Sequence, residues 1–256
     1  MTMTQSEMNI LVPEKLSEIE RTMGITVLYA AESGSRAWGF ESTDSDFDVR
    51  FIYKRPKSEY LRLNETRDVI ELPVNDTWDV TGWDLAKALR LLHKSNPTLF
   101  EWLSSPICYR DTGFSERIRP LLTEYFSPSR MLYHYLSMCR NNIRNYLQGE
   151  TVNLKRYLYS LRPVLACLWV IEYDEPPPMK FSVLAEKLLP ENLRPSVNYL
   201  LAEKMKSSEK SEIQHMNDIE TFINESVIRV KAYIETLNEP QRSWDSLNRF
   251  FLQEIS

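Results

Sequence analysis

The sequence predicts an α+β protein, with a small mixed-sheet domain over residues 1–105 followed by an all-α domain over 106–256. Three observations predict it. Runs of β-branched and aromatic residues with strand spacing crowd the first part of the chain. From about residue 106 strand signals become rare, and long segments with the helical 3.6-residue period replace them. Between an apolar strand and a strand with one oily face lies Gly34-Ser35, followed by Asp46 and Asp48.

In chain order, residues 13–23 read as a short helix. Pro13 suits a first helical position, Leu16, Ile19 and Met23 share a stripe, and Gly24 is placed to cap the end. Residues 25–31 form an apolar strand that runs into Gly34-Ser35, and 36–40 make a single helical turn. Residues 46–53 alternate: Phe47, Val49, Phe51 and Tyr53 point one way, and Asp46, Asp48 and Arg50 the other. Residues 67–72 and 77–81 are two further strands. In the second, Asp79 faces away from Trp78 and Val80, and Gly82 ends the strand. Asp84 reads as the N-cap of a helix from Leu85 to about Lys94, which Asn96-Pro97 breaks before a short helical piece with Phe100, Trp102 and Leu103. Helical segments then follow at roughly 114–126, 130–148, 153–172, 181–189, 192–206, 211–237 and 240–254. Gly149 and Pro176-Pro177-Pro178 punctuate them.

The bulk numbers narrow the function classes. With 256 residues and 43% apolar content the chain can bury a sizeable core. A net charge of −5 argues against a protein held to nucleic acid by a general positive field, while leaving room for a local basic patch. Three dispersed cysteines, Cys108, Cys139 and Cys167, form no CxxC pair and predict a reduced, cytoplasmic protein without a cysteine zinc site. The longest apolar run, 164–171, is too short to span a bilayer, so no membrane partner is expected.

The chemistry concentrates at the turn and the paired aspartates. Asp46 and Asp48, two apart on a strand, lie side by side, and Asp79 on a nearby strand offers a third carboxylate; Glu71 and Asp84 are the alternatives for that third place. Hard oxygen ligands suit Mg2+, with Mn2+ as the other choice, and two such ions would serve an in-line attack on an α-phosphate. Gly34, Ser35 and Arg36 offer backbone donors, a hydroxyl and a forked cation to the phosphates of a nucleoside triphosphate. Lys87 on the helix after Asp84 and Lys155 in the helical half are further candidate phosphate ligands. Arg140 and Arg144, one turn apart, are weaker ones. His93, His134 and His215 share no metal-ligand spacing.

Apolar strand, Gly-Ser, short helix and then Asp-x-Asp between apolar residues resembles the DNA polymerase β-type nucleotidyltransferase superfamily. More narrowly, the segments 34–40, 46–53, Gly82-Trp83-Asp84-Leu85, Ser95-Asn96-Pro97, 155–159 and Leu161-Arg162-Pro163 resemble the nucleotidyltransferases named for their association with an RNA ligase. The resemblance covers most of the chain. It implies a polymerase β-like fold for the sheet domain, a nucleoside triphosphate, Mg2+ and a three-carboxylate site. By association it implies repair of RNA or tRNA ends with an RNA ligase nearby. The expected reaction moves a nucleoside monophosphate from the triphosphate to an acceptor hydroxyl, on RNA, a small molecule or a protein. The competing reading is a non-catalytic, antitoxin-like partner that binds nucleotide or protein.

Overall fold

The computed structural model describes residues 3–42, 45–73, 77–146, 150–206, 211–239 and 241–256. Thr43 and Asp44 of the opening motif, Gly149, and 207–210 lie outside the described residues. The chain begins with α1 (Gln5–Met23), β1 (Thr26–Glu32), α2 (Gly34–Trp38), β2 (Phe47–Lys54) and α3 (Lys57–Tyr60). Next come β3 (Val69–Glu71), β4 (Trp78–Asp84), α4 (Leu85–His93), α5 (Pro97–Leu103), β5 (Cys108–Asp111) and α6 (Phe114–Tyr125). The remainder is α7 (Pro128–Tyr146), β6 (Val152–Asn153), α8 (Leu154–Tyr173), α9 (Phe181–Leu188), α10 (Arg194–Lys206), β7 (Glu212–Ile213), α11 (Asn217–Ile234) and α12 (Asp245–Glu254).

The first helix starts eight residues earlier than its sequence suggested, because Thr4 and Glu7 form a reciprocal capping box. Pro13 therefore sits inside the helix rather than at its first position, and its carbonyl accepts from the Ser17 hydroxyl and from Arg110. Gly24 caps the end in the left-handed conformation, φ 62°, as expected.

Five strands form one mixed sheet in the order β3-β4-β2-β1-β5. Strand β2 runs parallel to β4, while the other three pairings are antiparallel. Phe47, Val49, Phe51 and Tyr53 turn to one face and pack with Met8, Val12, Leu16 and Ile19 of α1. That leaves Asp48 and Arg50 on the other face, as the alternation predicted. Two details differ from the sequence reading. The part expected to be all-α from residue 106 holds β5 and the short antiparallel pair β6–β7, and β4 does not end at Gly82 but continues to Asp84. Gly82 is there because the ring of Phe51 on the neighbouring strand lies over it: a Cβ would come within 2.2 Å of that ring.

Contacts divide the chain into two compact units, residues 1–37, 46–125 and 241–256 in one and 38–45 and 126–240 in the other. This division differs from a boundary at 105. Phe114 and Phe250 meet with ring centroids 6.0 Å apart, and His93 stacks on Trp244 at 3.6 Å, so α6 and α12 condense with the sheet unit. In the other unit α8 is the central helix, apolar on nearly all sides and buried from Leu154 through Val170 apart from Lys155, Arg156, Tyr159 and Trp169. Trp38, Phe40, Tyr159 and Phe181 form an aromatic cluster within that unit, and the Arg162 guanidinium lies 4.4 Å over the Trp38 ring.

Candidate active site

Parallel pairing of β2 with β4 puts Asp48 directly opposite Asp79. Partners in register share a face, so both carboxylates rise from the side of the sheet away from α1. One nitrogen of the Arg50 guanidinium lies 2.8 Å from Asp48 Oδ1 and 2.8 Å from Asp79 Oδ2. The other terminal nitrogen donates to the Asp79 carbonyl at 2.9 Å. The two carboxylates thus converge on a single cationic atom, with their own side chains about a third exposed (32% and 35%) and Arg50 largely covered (16%). The second Asp79 oxygen accepts from the Thr81 hydroxyl at 3.4 Å.

Behind Asp48 the chain is held closely. Its backbone N–H donates to Glu32 Oε1 at 2.7 Å, and its carbonyl accepts from the Ser33 N–H at 2.8 Å. Glu32, the last residue of β1, is fully buried and takes a hydrogen bond from the Tyr109 hydroxyl at 2.5 Å. Burial pushes its carboxyl up to about 7, against the lowering effect of those two donors. Burial also raises Asp48; Arg50 opposes this, while Asp79 and Asp46 add to it.

Gly34 stands against the Asp48 carboxylate. A Cβ at Gly34 would fall 2.0 Å from Asp48 Oδ2, and the residue has φ 60°. Gly34 was expected to admit a phosphate; in the folded chain it first makes room for an aspartate. Ser35 is buried in α2. The Arg36 guanidinium lies 3.7 Å over the Phe47 ring, and its Nε donates to the Asp46 carbonyl at 3.2 Å. Asp46 is exposed, one residue ahead of β2 and close enough to Asp48 to raise it electrostatically.

Other expected residues lie elsewhere. Asp84 is at the opposite end of β4 from Asp79, roughly 16 Å along a strand of this rise. There it caps α4, accepting from the Ala86 N–H at 2.8 Å. Lys87, in the first turn of α4, shares that end and pairs with Asp68 at 3.1 Å, so the structure does not bring it to Asp48 and Asp79. Glu71 pairs with the exposed Arg67 and stands opposite Thr81 rather than Asp79. Lys155 belongs to the helical unit, in the first turn of α8 beside its cap Asn153. Among the described residues no three carboxylate, imidazole or thiol groups converge tightly enough to cage an ion; Asp48 and Asp79 converge as a pair, with Asp46 near them.

Sequence reasoning missed two participants. Arg50 was visible as the next residue on the Asp46/Asp48 face, but nothing in the pattern showed that it would bridge to another strand. Glu32 follows an apolar run and carries no sign of burial.

Comparison with known proteins identifies the family. Residues 8–253 match the RNA repair pathway DNA polymerase beta family, and the chain belongs to that family. By class the protein is a nucleotidyltransferase with an α+β fold. It is 43% identical over 245 residues to the uncharacterized protein YcgL of Bacillus subtilis (strain 168), covering 94% of each chain. A nucleotidyltransferase-like protein of known crystal structure from Exiguobacterium sibiricum 255-15 is a distant likeness. It has 14% identity and a TM-score of 0.31, over 90% of this chain and 75% of that one, too remote to bear on the site. Among the described residues no helix is long and apolar enough to cross a membrane.

Proposed function

We propose that this protein moves a nucleoside monophosphate from a nucleoside triphosphate to an acceptor hydroxyl, with an RNA end as the favoured acceptor. The observation that carries the reading is the register pairing of Asp48 with Asp79 on parallel strands, both aimed at one cation. Two carboxylates that share a guanidinium nitrogen at 2.8 Å have the spacing and donor chemistry of a hard-cation site. Asp48 and Asp79, with Asp46 adjoining, would hold Mg2+ or Mn2+. When bound, such ions neutralise the triphosphate and favour the ionised acceptor hydroxyl.

The chain's own residues supply the rest. Glu32 and Ser33 fix the backbone of Asp48 from both sides, so the carboxylate is oriented before substrate arrives. Arg36 and the backbone at Gly34 and Ser35 lie on the segment that leads to the carboxylates and supply donors for the phosphates. With an ion held by Asp48 and Asp79, Arg50 would be released from them and would supply a positive group for the transferring phosphate. RNA ends, and with them an RNA ligase as a functional partner, are favoured because the family is one of RNA repair.

A second reading is a non-catalytic binding partner, and Arg50 favours it to the extent that the ion-paired carboxylates are already satisfied. Incubation of the protein with Mg2+, α-labelled nucleoside triphosphates and cellular RNA separates the two. Labelled RNA with wild type, reduced about a thousandfold in Asp48→Asn and Asp79→Asn, is the expected result. No label and no pyrophosphate with any triphosphate would leave only the binding reading.

A further inference from the structure

The helical unit carries a second feature with a chemistry of its own. Between α7 and α11 runs a groove of about 610 Å³ whose rim bears Arg140, Arg144 and Lys231. All three are exposed, and among the described residues none of them is ion-paired. Arg140 and Arg144 are four apart on one helix, a like-charge spacing that costs helix stability unless an anion lies across it. The groove has one acid, Glu235, against these three cations. In a chain of net charge −5 this is a local reversal of sign rather than a sample of the general surface.

The rest of the lining fits the cations. Tyr133 projects with 61% of its surface exposed, an unusual position for a large ring on a helix whose other apolar side chains are mostly covered. Asn141 and Asn224 add amide donors and acceptors, and the floor is closed by the buried Leu136, Val227 and Ile234. Cations that track a backbone of phosphates, a ring on which a base stacks, and amides that reach base edges are the parts of a single-strand site. A purely electrostatic surface for an acidic protein needs neither the projecting ring nor the amides.

We propose that the α7–α11 groove binds single-stranded RNA. Its biological role, capture of an RNA, rests on the nucleotidyl-transfer reading. Arg140 and Arg144 take successive phosphates, Lys231 takes a third from the facing helix, and Tyr133 stacks on a base.

The test is fluorescence anisotropy of the full chain with a short fluorescein-labelled single-stranded RNA across a salt series. Wild type should bind with a negative salt slope. The variant R140Q/R144Q/K231Q should bind at least about tenfold more weakly and shift the slope by about 2, since each phosphate contact on a single strand contributes about 0.7. Tyr133→Ala should lose about tenfold while leaving the slope unchanged, because stacking releases no counterions. All four side chains are exposed, and an unchanged thermal transition shows that the variants fold. Asp48→Asn should bind RNA as wild type does, and that keeps the two proposals apart. RNA binding without nucleotide transfer would sink the reaction and keep the groove. Transfer by a protein whose RNA affinity is unmoved by these substitutions would sink the groove and keep the reaction. Absence of RNA binding by wild type, or equal binding of a polyglutamate peptide insensitive to Tyr133→Ala, would also overturn the groove as an RNA site.

Discussion

At Arg50 a single guanidinium nitrogen holds two carboxylates that would otherwise repel each other across neighbouring strands. Removing it leaves Asp48 and Asp79 facing one another with no counter-charge. Arg50→Gln should cost the metal-free protein about 1–2 kcal/mol, allowing for the one-third exposure of the carboxylates. It should also tighten binding of Mn2+, because the ion no longer competes with an internal cation. Urea denaturation with and without Mn2+ checks both halves; weaker metal binding in the variant would show that Arg50 is not the competitor. Glu32 gives a pH signature. The unfolded side chain titrates near its ordinary value of 4.5 and the folded one near 7, so between these the folded state holds more protons. Its contribution to stability should therefore be fully present below about 4.5 and be lost as pH rises through about 7. Glu32→Gln should flatten that dependence in chelator-treated protein, measured by denaturation at a series of pH values.

Strand β4 shows how an element can be legible in part. Its alternation marked Asp79 as facing away from Trp78 and Val80, and that orientation is what meets Asp48. Gly82 looked like a terminator because glycine weakens strands, yet the strand runs past it to Asp84. Only the pairing partner explains this: Phe51 is the register neighbour of Gly82 and its ring covers the glycine. Gly82→Ala should destabilise the protein by about 2–3 kcal/mol, as overpacking under a fully buried ring does. A stability equal to wild type in thermal melts would mean that Phe51 has room to move. The helical segments were easier, since α6 to α12 follow the 3.6-residue period read from the sequence, with most ends displaced by a few residues; the exception is the segment read as 211–237, whose first residues form β7 in pairing with β6, so that α11 starts only at Asn217. Strand β5 escaped notice because Cys108 to Asp111 is short and mostly polar, and it owes its conformation to pairing with β1.

For the molecule as a whole, the last sixteen residues matter more than their position suggests. In α12, Leu247 and Phe250 are buried, Glu254 pairs with Arg117 at 2.6 Å, and its carbonyl accepts from Lys54. Deleting 241–256 removes burial worth about 3–6 kcal/mol for the two apolar side chains alone, a large part of the 5–15 kcal/mol that holds a typical domain. The truncated chain should lose the cooperative melting of its sheet unit. Retention of a wild-type transition would show that α12 is an appendage.

The sequence by itself determined the α+β class, the face alternation of β2 that sets Asp48 apart from Phe47 and Val49, and the helix cap at Asp84. These are local matters, fixed by residue spacing and by side chains that bond their own backbone. The tertiary structure decided which third carboxylate lies beside Asp48, that Lys87 belongs to the other end of the sheet, that Glu32 is buried, and that Arg50 ties the pair together. Each depends on strand register and on which strands are neighbours. Register is set by contacts between residues far apart in the chain, and residue types along one segment do not encode it.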